Sequence, residues 1–231
     1  MKSNEASSGG WWRSCRWTIG LACLLLVLNS GHLPGVPAAA GGILNWLQYD
    51  RDAIAAGECW RLLTCNLVHW SREHFWLDVG AFVIVGVLYE RQLGRLYSWL
   101  LLASAVAVGL ALFVFRPDLQ TYRGLSGVDS GQFAAALAIE CLAAIRDRRR
   151  LCWFAPAAIM FFTKITYEAL SGRMFFGTEG LGNIGVPVPL AHVAGVIATG
   201  ALLTVVACTT VKRSNAIVCG TAAYACPWRA Y

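Results

Sequence analysis

Six apolar stretches, at about 17–36, 75–89, 96–115, 124–145, 151–170 and 188–210, constrain this 231-residue chain more than any other feature. A helix satisfies its own backbone hydrogen bonds, so roughly 20 apolar residues of helix can cross the hydrocarbon core of a bilayer. The 75–89 stretch is the shortest and carries Asp78 near its start. Charged residues make up 14% of the chain, against about 25% in soluble domains. The expected fold class is therefore all-α: a polytopic membrane protein with a six-transmembrane-helix bundle. The expected organisation is an N-terminal segment 1–16, a six-helix membrane domain 17–211 and a tail 212–231.

The basic residues give an orientation. With the N-terminus in the cytoplasm, twelve lysines and arginines fall on the cytoplasmic side and six on the other, and the RDRRR run at 146–150 lies in a short cytoplasmic loop. That is the direction of the positive-inside rule. The net charge of +6 thus reads as topology, and nucleic acid is not an expected partner. Arg13, Arg16, the run WTIGLACLLLVL and VPAAAGG at 36–42 imitate a secretory signal with its cleavage site. The five apolar stretches that follow favour a signal-anchor helix instead.

Nine cysteines are scattered along the chain without a CxxC or a Cys/His cluster of zinc spacing, so no metal or cofactor is expected. Cys59 and Cys65 share one outer loop and could bridge. No internal repeat or glycine-rich phosphate loop occurs.

At YRGLSGVDSG, residues 122–131, a serine sits between two glycines at the mouth of an apolar stretch. Ser126 could cap a helix, allow two helices to pack closely, or act as a nucleophile. His192, in PLAHVAGVIATG, is an ionisable residue near the start of the last span, which is costly in a membrane and points to function. In the expected topology Ser126 and His192 lie at the same outer depth, where histidine can serve as the base that activates serine.

The ordered motifs resemble the rhomboid intramembrane serine proteases. GECWRLLTCNLVHW resembles the family's outer-loop motif, HWSREHFWLD its H-x4-H-x3-N with the last position changed, and LYERQLG its E-x-x-x-G turn; GLSG and AHVAG match G-x-S-G and A-H-x-x-G. The likeness covers about residues 57–200. Within the family it is nearest to the rhombosortases, which show Y-x-GLSG and K-x3-E-x3-G, here YRGLSG and Lys164, Glu168 and Gly172. The resemblance implies a Ser126–His192 dyad, with His74, the Asp78 position, Gly124 and Gly127 supporting the oxyanion. It implies a bacterial inner membrane location, and substrates that are transmembrane segments of exported or anchored proteins, among them C-terminal Gly-Gly sorting tails. Membrane lipids are the other expected partner; the oligomeric state is left open.

Two departures stand out. Asp78 replaces asparagine, and an ionised carboxylate would repel an oxyanion. Burial could keep it protonated, or it could pair with His74, four residues earlier on one helix face; the pair is the favoured reading. Ser130 stands where the family often has an aromatic ring beneath the histidine. Asp129 could then orient His192, or pair with Lys164, which is the favoured alternative. Lys164 and Glu168 could neutralise each other at i,i+4 or meet substrate, and His69 is expected to organise the outer loop. Trp46, Trp60 and Trp70 are expected at the interface, with Glu58 and Arg61 as a polar brace. The competing classes are a catalytically inactive rhomboid-like protein that binds membrane clients and, further off, a solute transporter.

Overall fold

The computed structural model describes residues 14–34, 41–145, 147–175, 182 and 185–224, with side chains as far as Thr210. Residues 1–13 of the expected N-terminal segment, 36–40 of the signal-like motif, Arg146 of the basic run and 225–231 of the tail lie outside them.

Each of the six apolar stretches holds a helix, but in the first, expected over 17–36, that helix has only 13 residues and ends at Leu28, short of the roughly 20 that cross a bilayer. The helices are α1 (Arg16–Leu28), α5 (Arg72–Leu93), α6 (Arg95–Phe115), α7 (Ser126–Ala144), α8 (Arg148–Ser171) and α9 (Pro189–Tyr224). Three short helices, α2 (Gly41–Leu47), α3 (Arg51–Ala55) and α4 (Arg61–Thr64), lie between α1 and α5. Helix α5 is longer than the apolar pattern indicates. The Ser71 side chain accepts the His74 N–H at its start, and Gly94, at φ +56°, turns the chain at its end. Helix α8 is capped by Asp147 and closes on a left-handed Gly172. Proline opens α9, where its missing N–H costs nothing, and that helix runs on to Tyr224, into the region expected as a tail.

Among the described residues two helical segments, Arg95–Phe115 and Pro189–Thr210, are long and apolar enough to cross a membrane. Helices α5, α7 and α8 carry Asp78 and Glu90, Asp129 and Glu140, and Lys164 and Glu168 along their lengths. The outward faces are nonetheless apolar: Ile84, Trp99, Val114, Leu142, Trp153, Ile159 and Ile197 are all exposed. A soluble monomer rarely leaves so large an apolar surface uncovered.

Helix α7 lies at the centre, packed against α5, α6, α8 and α9. Its contact with α9 is set by main chain. A Cβ on Gly195 would strike the Gly127 carbonyl oxygen, and one on Gly131 would lie 2.9 Å from the Gly195 carbonyl oxygen. Small residues at such a seam let helices approach closely in lipid. Phe75, Val79, Phe82, Tyr97, Leu100, Leu125 and Val128 fill the core between α5, α6 and α7.

The segment before α5 is tied to the chain around Ser126. Strands β1 (Tyr49–Asp50) and β2 (Thr121–Tyr122) pair antiparallel, Tyr49 opposite Tyr122. Buried Arg61 ion-pairs with Glu58 at 2.6 Å and donates to the Asn45 and Gln48 carbonyls, which is the expected brace. Trp46 and Trp60 are exposed and stack on each other, whereas Trp70 lies under the Arg123 guanidinium, 4.3 Å away. Cys59 and Cys65 are free thiols and form no bridge; burial pushes the Cys65 thiol up to about 12, so it is no competing nucleophile.

At the opposite end of the bundle, Glu90 caps α1. Its carboxylate accepts the backbone N–H groups of Trp17 and Thr18 and the Thr18 hydroxyl at 2.7–2.9 Å. Gln132 and Tyr97 continue this network at 2.6 Å.

Candidate active site

Ser126 is the first residue of α7, where backbone N–H groups have no partner within the helix. Gly124 delivers it. Its φ of +146° suits only glycine, and a Cβ there would lie 3.0 Å from the His74 ring. His192 is the fourth residue of α9 and is buried. Across the glycine-lined seam, His192 Nε2 lies 3.0 Å from Ser126 Oγ. That is hydrogen-bond reach for a base and its nucleophile.

The other ring nitrogen faces α8. His192 Nδ1 is 2.7 Å from Glu168 Oε2 and 3.0 Å from Lys164 Nζ. Lys164 donates to the same Glu168 oxygen at 2.7 Å, and the Phe175 N–H donates to Glu168 Oε1 at 3.2 Å. The expected Lys164–Glu168 pair is thus present. The expected pairing of Asp129 with Lys164 is not, and Asp129 does not orient His192. The Lys164 ammonium is taken by the carboxylate one turn away on its own helix. Among the described residues Asp129 Oδ1 has no hydrogen-bond partner. Ser130, in place of an aromatic ring, donates its hydroxyl to the Ser126 carbonyl at 2.8 Å.

Beside the serine, a single oxygen of Asp78 gathers three donors. His69 Nε2 and His74 Nε2 each lie 3.2 Å from Oδ2, and the Leu125 N–H donates to it at 3.0 Å. The expected Asp78–His74 pair is present, but His69 shares the carboxylate. His69 also organises the outer segment, since its N–H donates to Asn29 Oδ1 and its carbonyl lies 3.2 Å from His32 Nε2. Burial holds the His69 imidazole below its ordinary value, against the opposing pull of Asp78. Both imidazoles converge on one oxygen rather than on a shared vacancy. Among the described residues no group of three His, Cys, Asp or Glu side chains could hold a metal ion.

Ser126 and His192 line two cavities. A water-sized one, about 30 Å³, is bounded by His74, Tyr122, Arg123, Met174 and Val186–Val188. A larger one, about 380 Å³, runs between α5 and α8 past Ala81, Val85, Asp129, Phe133, Phe161 and Lys164. Gly127 touches neither. Its role is steric, since a Cβ there would lie 2.7 Å from the Ala191 carbonyl oxygen.

Two links were not legible in the sequence: Glu168 to His192, and Asp78 to the Leu125 N–H. The one local signal for the first was a pair of opposite charges one turn apart in an apolar helix. The second rests on a backbone group and leaves no side-chain signature. The Rhomboid domain family model matches residues 56–210. No curated protein matches the chain significantly.

Proposed function

Because the chain belongs to the rhomboid family of intramembrane proteases, we propose that it is a serine endopeptidase in which Ser126 is the nucleophile and His192 its base. The observation that carries the reading is the 3.0 Å approach of Ser126 Oγ to His192 Nε2 across two helices. As Oγ bonds to the scissile carbonyl carbon, its proton passes to Nε2. The imidazolium then returns that proton to the leaving amine, and water releases the acyl group from Ser126 by the same route in reverse. The Ser126 N–H at the head of α7 and the His74 side chain are the oxyanion donors. In soluble serine proteases one such donor is worth about 3–4 kcal/mol. Since Asp78 holds the hydrogen on Nε2, His74 offers an N–H at Nδ1 for this purpose only as an imidazolium.

In this reading α1 and α5–α9 make six crossings, with the N-terminus in the cytoplasm of a bacterial inner membrane and Ser126 near the outer face. Residues 17–211 form the membrane domain, flanked by the segments 1–16 and 212–231. The substrates are transmembrane segments that unwind near that face, and glycine at the cut lowers the cost of unwinding. YRGLSG together with Lys164, Glu168 and Gly172 supports the rhombosortase branch, whose substrates are Gly-Gly sorting tails. An inactive client-binding protein would have no need of the Ser126–His192 hydrogen bond.

The test is labelling of membranes with a fluorophosphonate. Wild type is expected to label, and folded Ser126→Ala and His192→Ala are not. A folded wild type that resists the probe would leave the client-binding reading in its place.

A further inference from the structure

We infer that Glu168 and Lys164 are positioning residues of the Ser126–His192 pair: Glu168 fixes the proton of His192 on Nδ1, and Lys164 anchors that carboxylate while opposing the imidazolium. The inference rests on the protease reading and adds a third and a fourth member to the site.

The tautomer is the first consideration. His192 accepts the Ser126 proton at Nε2 only if its own proton is on Nδ1. Two groups lie within reach of Nδ1 and they ask for opposite things. Glu168 Oε2, at 2.7 Å, can only accept and demands Nδ1–H. Lys164 Nζ, at 3.0 Å, can only donate and would drive the proton to Nε2, where it would block catalysis. The conflict is resolved by the contact between the two. Lys164 donates to Glu168 Oε2 at 2.7 Å, shorter than its distance to the ring. Charge-assisted bonds are the stronger ones, so the ammonium is spent on the carboxylate. Glu168 is 1% exposed, and the Phe175 N–H on its other oxygen prevents the carboxylate from rotating away.

A structural ion pair would not need this geometry. Lys and Glu at i,i+4 neutralise each other wherever they point, yet here both point at one imidazole on another helix. Charge is the second consideration. Glu168 favours the imidazolium and Lys164 disfavours it. The other charged or titratable groups lining the cavities of His192 are Asp78 and His74 on α5, Asp129 on α7, and Tyr122 and Arg123 before α7. None of them is in hydrogen-bond contact with its ring among the described residues, and all are unchanged in the variants below.

The test is the rate of fluorophosphonate labelling as a function of pH in folded, membrane-inserted protein. Glu168→Gln can present an amide donor to Nδ1. It is expected to slow labelling by about 10²- to 10⁴-fold, as when a soluble triad is forced into the wrong tautomer, and to move the acid limb to lower pH. Lys164→Met is expected to label within about tenfold of wild type, with its acid limb at higher pH. The opposite shifts are the signature, because loss of a purely structural pair would slow both variants without moving either limb oppositely. Should either single variant not fold, the uncharged double Lys164→Met/Glu168→Gln substitutes. It is expected to keep the slow rate with an acid limb close to wild type, and a wild-type rate would overturn the inference. Folded single variants with wild-type profiles would overturn it too, while wild-type labelling that still depends on Ser126 would leave the protease reading standing.

Discussion

Gly127→Ala tests whether the distance between α7 and α9 sets the chemistry. The added Cβ would sit 2.7 Å from the Ala191 carbonyl oxygen and 2.6 Å from Val108 Cγ2, where ordinary contact begins at 3.4 Å. Val108 can adjust, but the carbonyl belongs to the first turn of α9 and moves only with the helix. Relief of 0.7 Å along that contact falls one residue from Ser126 and one from His192. Passed to the 3.0 Å Oγ–Nε2 separation, it gives about 3.7 Å, outside the reach of a general base. A misplacement of 1 Å costs roughly 10²-fold, so the labelling rate is expected to fall about 25-fold if the loss scales log-linearly. Overpacking of this kind costs about 1–3 kcal/mol in stability. The assay is fluorophosphonate labelling of the folded fraction alongside a thermal midpoint in the same detergent. Gly200→Ala is the control, since a Cβ there meets nothing within 4 Å. It should stabilise α9 by up to about 1 kcal/mol and leave labelling alone. Folded Gly127→Ala that labels within about threefold of wild type would refute the claim that main-chain contact fixes the pair.

Three other outcomes are expected. Asp78→Asn keeps an acceptor for the Leu125 N–H but loses the charge that both imidazoles share; it should retain substantial labelling with a displaced pH profile, and an unchanged profile counts against the Asp78–His74 pairing. Glu90→Ala leaves the Trp17 and Thr18 N–H groups without their acceptor; stability should fall by about 1–3 kcal/mol per orphaned donor at most, read as a lower thermal midpoint with labelling per folded molecule unchanged. His69 is held neutral by burial, so the unfolded chain takes up a proton there before the folded one does; stability should decline as pH falls below about 6.5, and in His69→Gln that decline should be shallower between pH values of about 6.5 and 5.

The long helices were legible because hydropathy is a local property. Their ends were partly so: Ser71 and Gly94 bound α5 through capping, which lengthens it beyond the apolar run that includes Asp78. Helices α2–α4 were not foreseen, because each is too short to show a period and is held by Arg61 and the Tyr49–Tyr122 strand pair rather than by propensity. Ser126 and His192 stood out as polar residues in apolar surroundings, and their depth followed from topology. What Asp129 and Glu168 do did not follow, because each can serve several partners and the choice depends on how α8 is rotated against α9. The strongest sequence cue, i,i+4 spacing, favoured a pairing within α8 and was correct about Lys164 while silent about His192.

The Gly127–Gly195 crossing divides the molecule into a part intolerant of change and a part open to it. Where two backbones touch, any added atom is felt at the reacting pair, so that face offers no room for drift. The larger cavity is walled on its far side by α5, where Ala81 and Val85 can vary in bulk without touching the crossing. A protein arranged in this way can acquire a new clientele by repainting one wall while its machinery stays bolted to another.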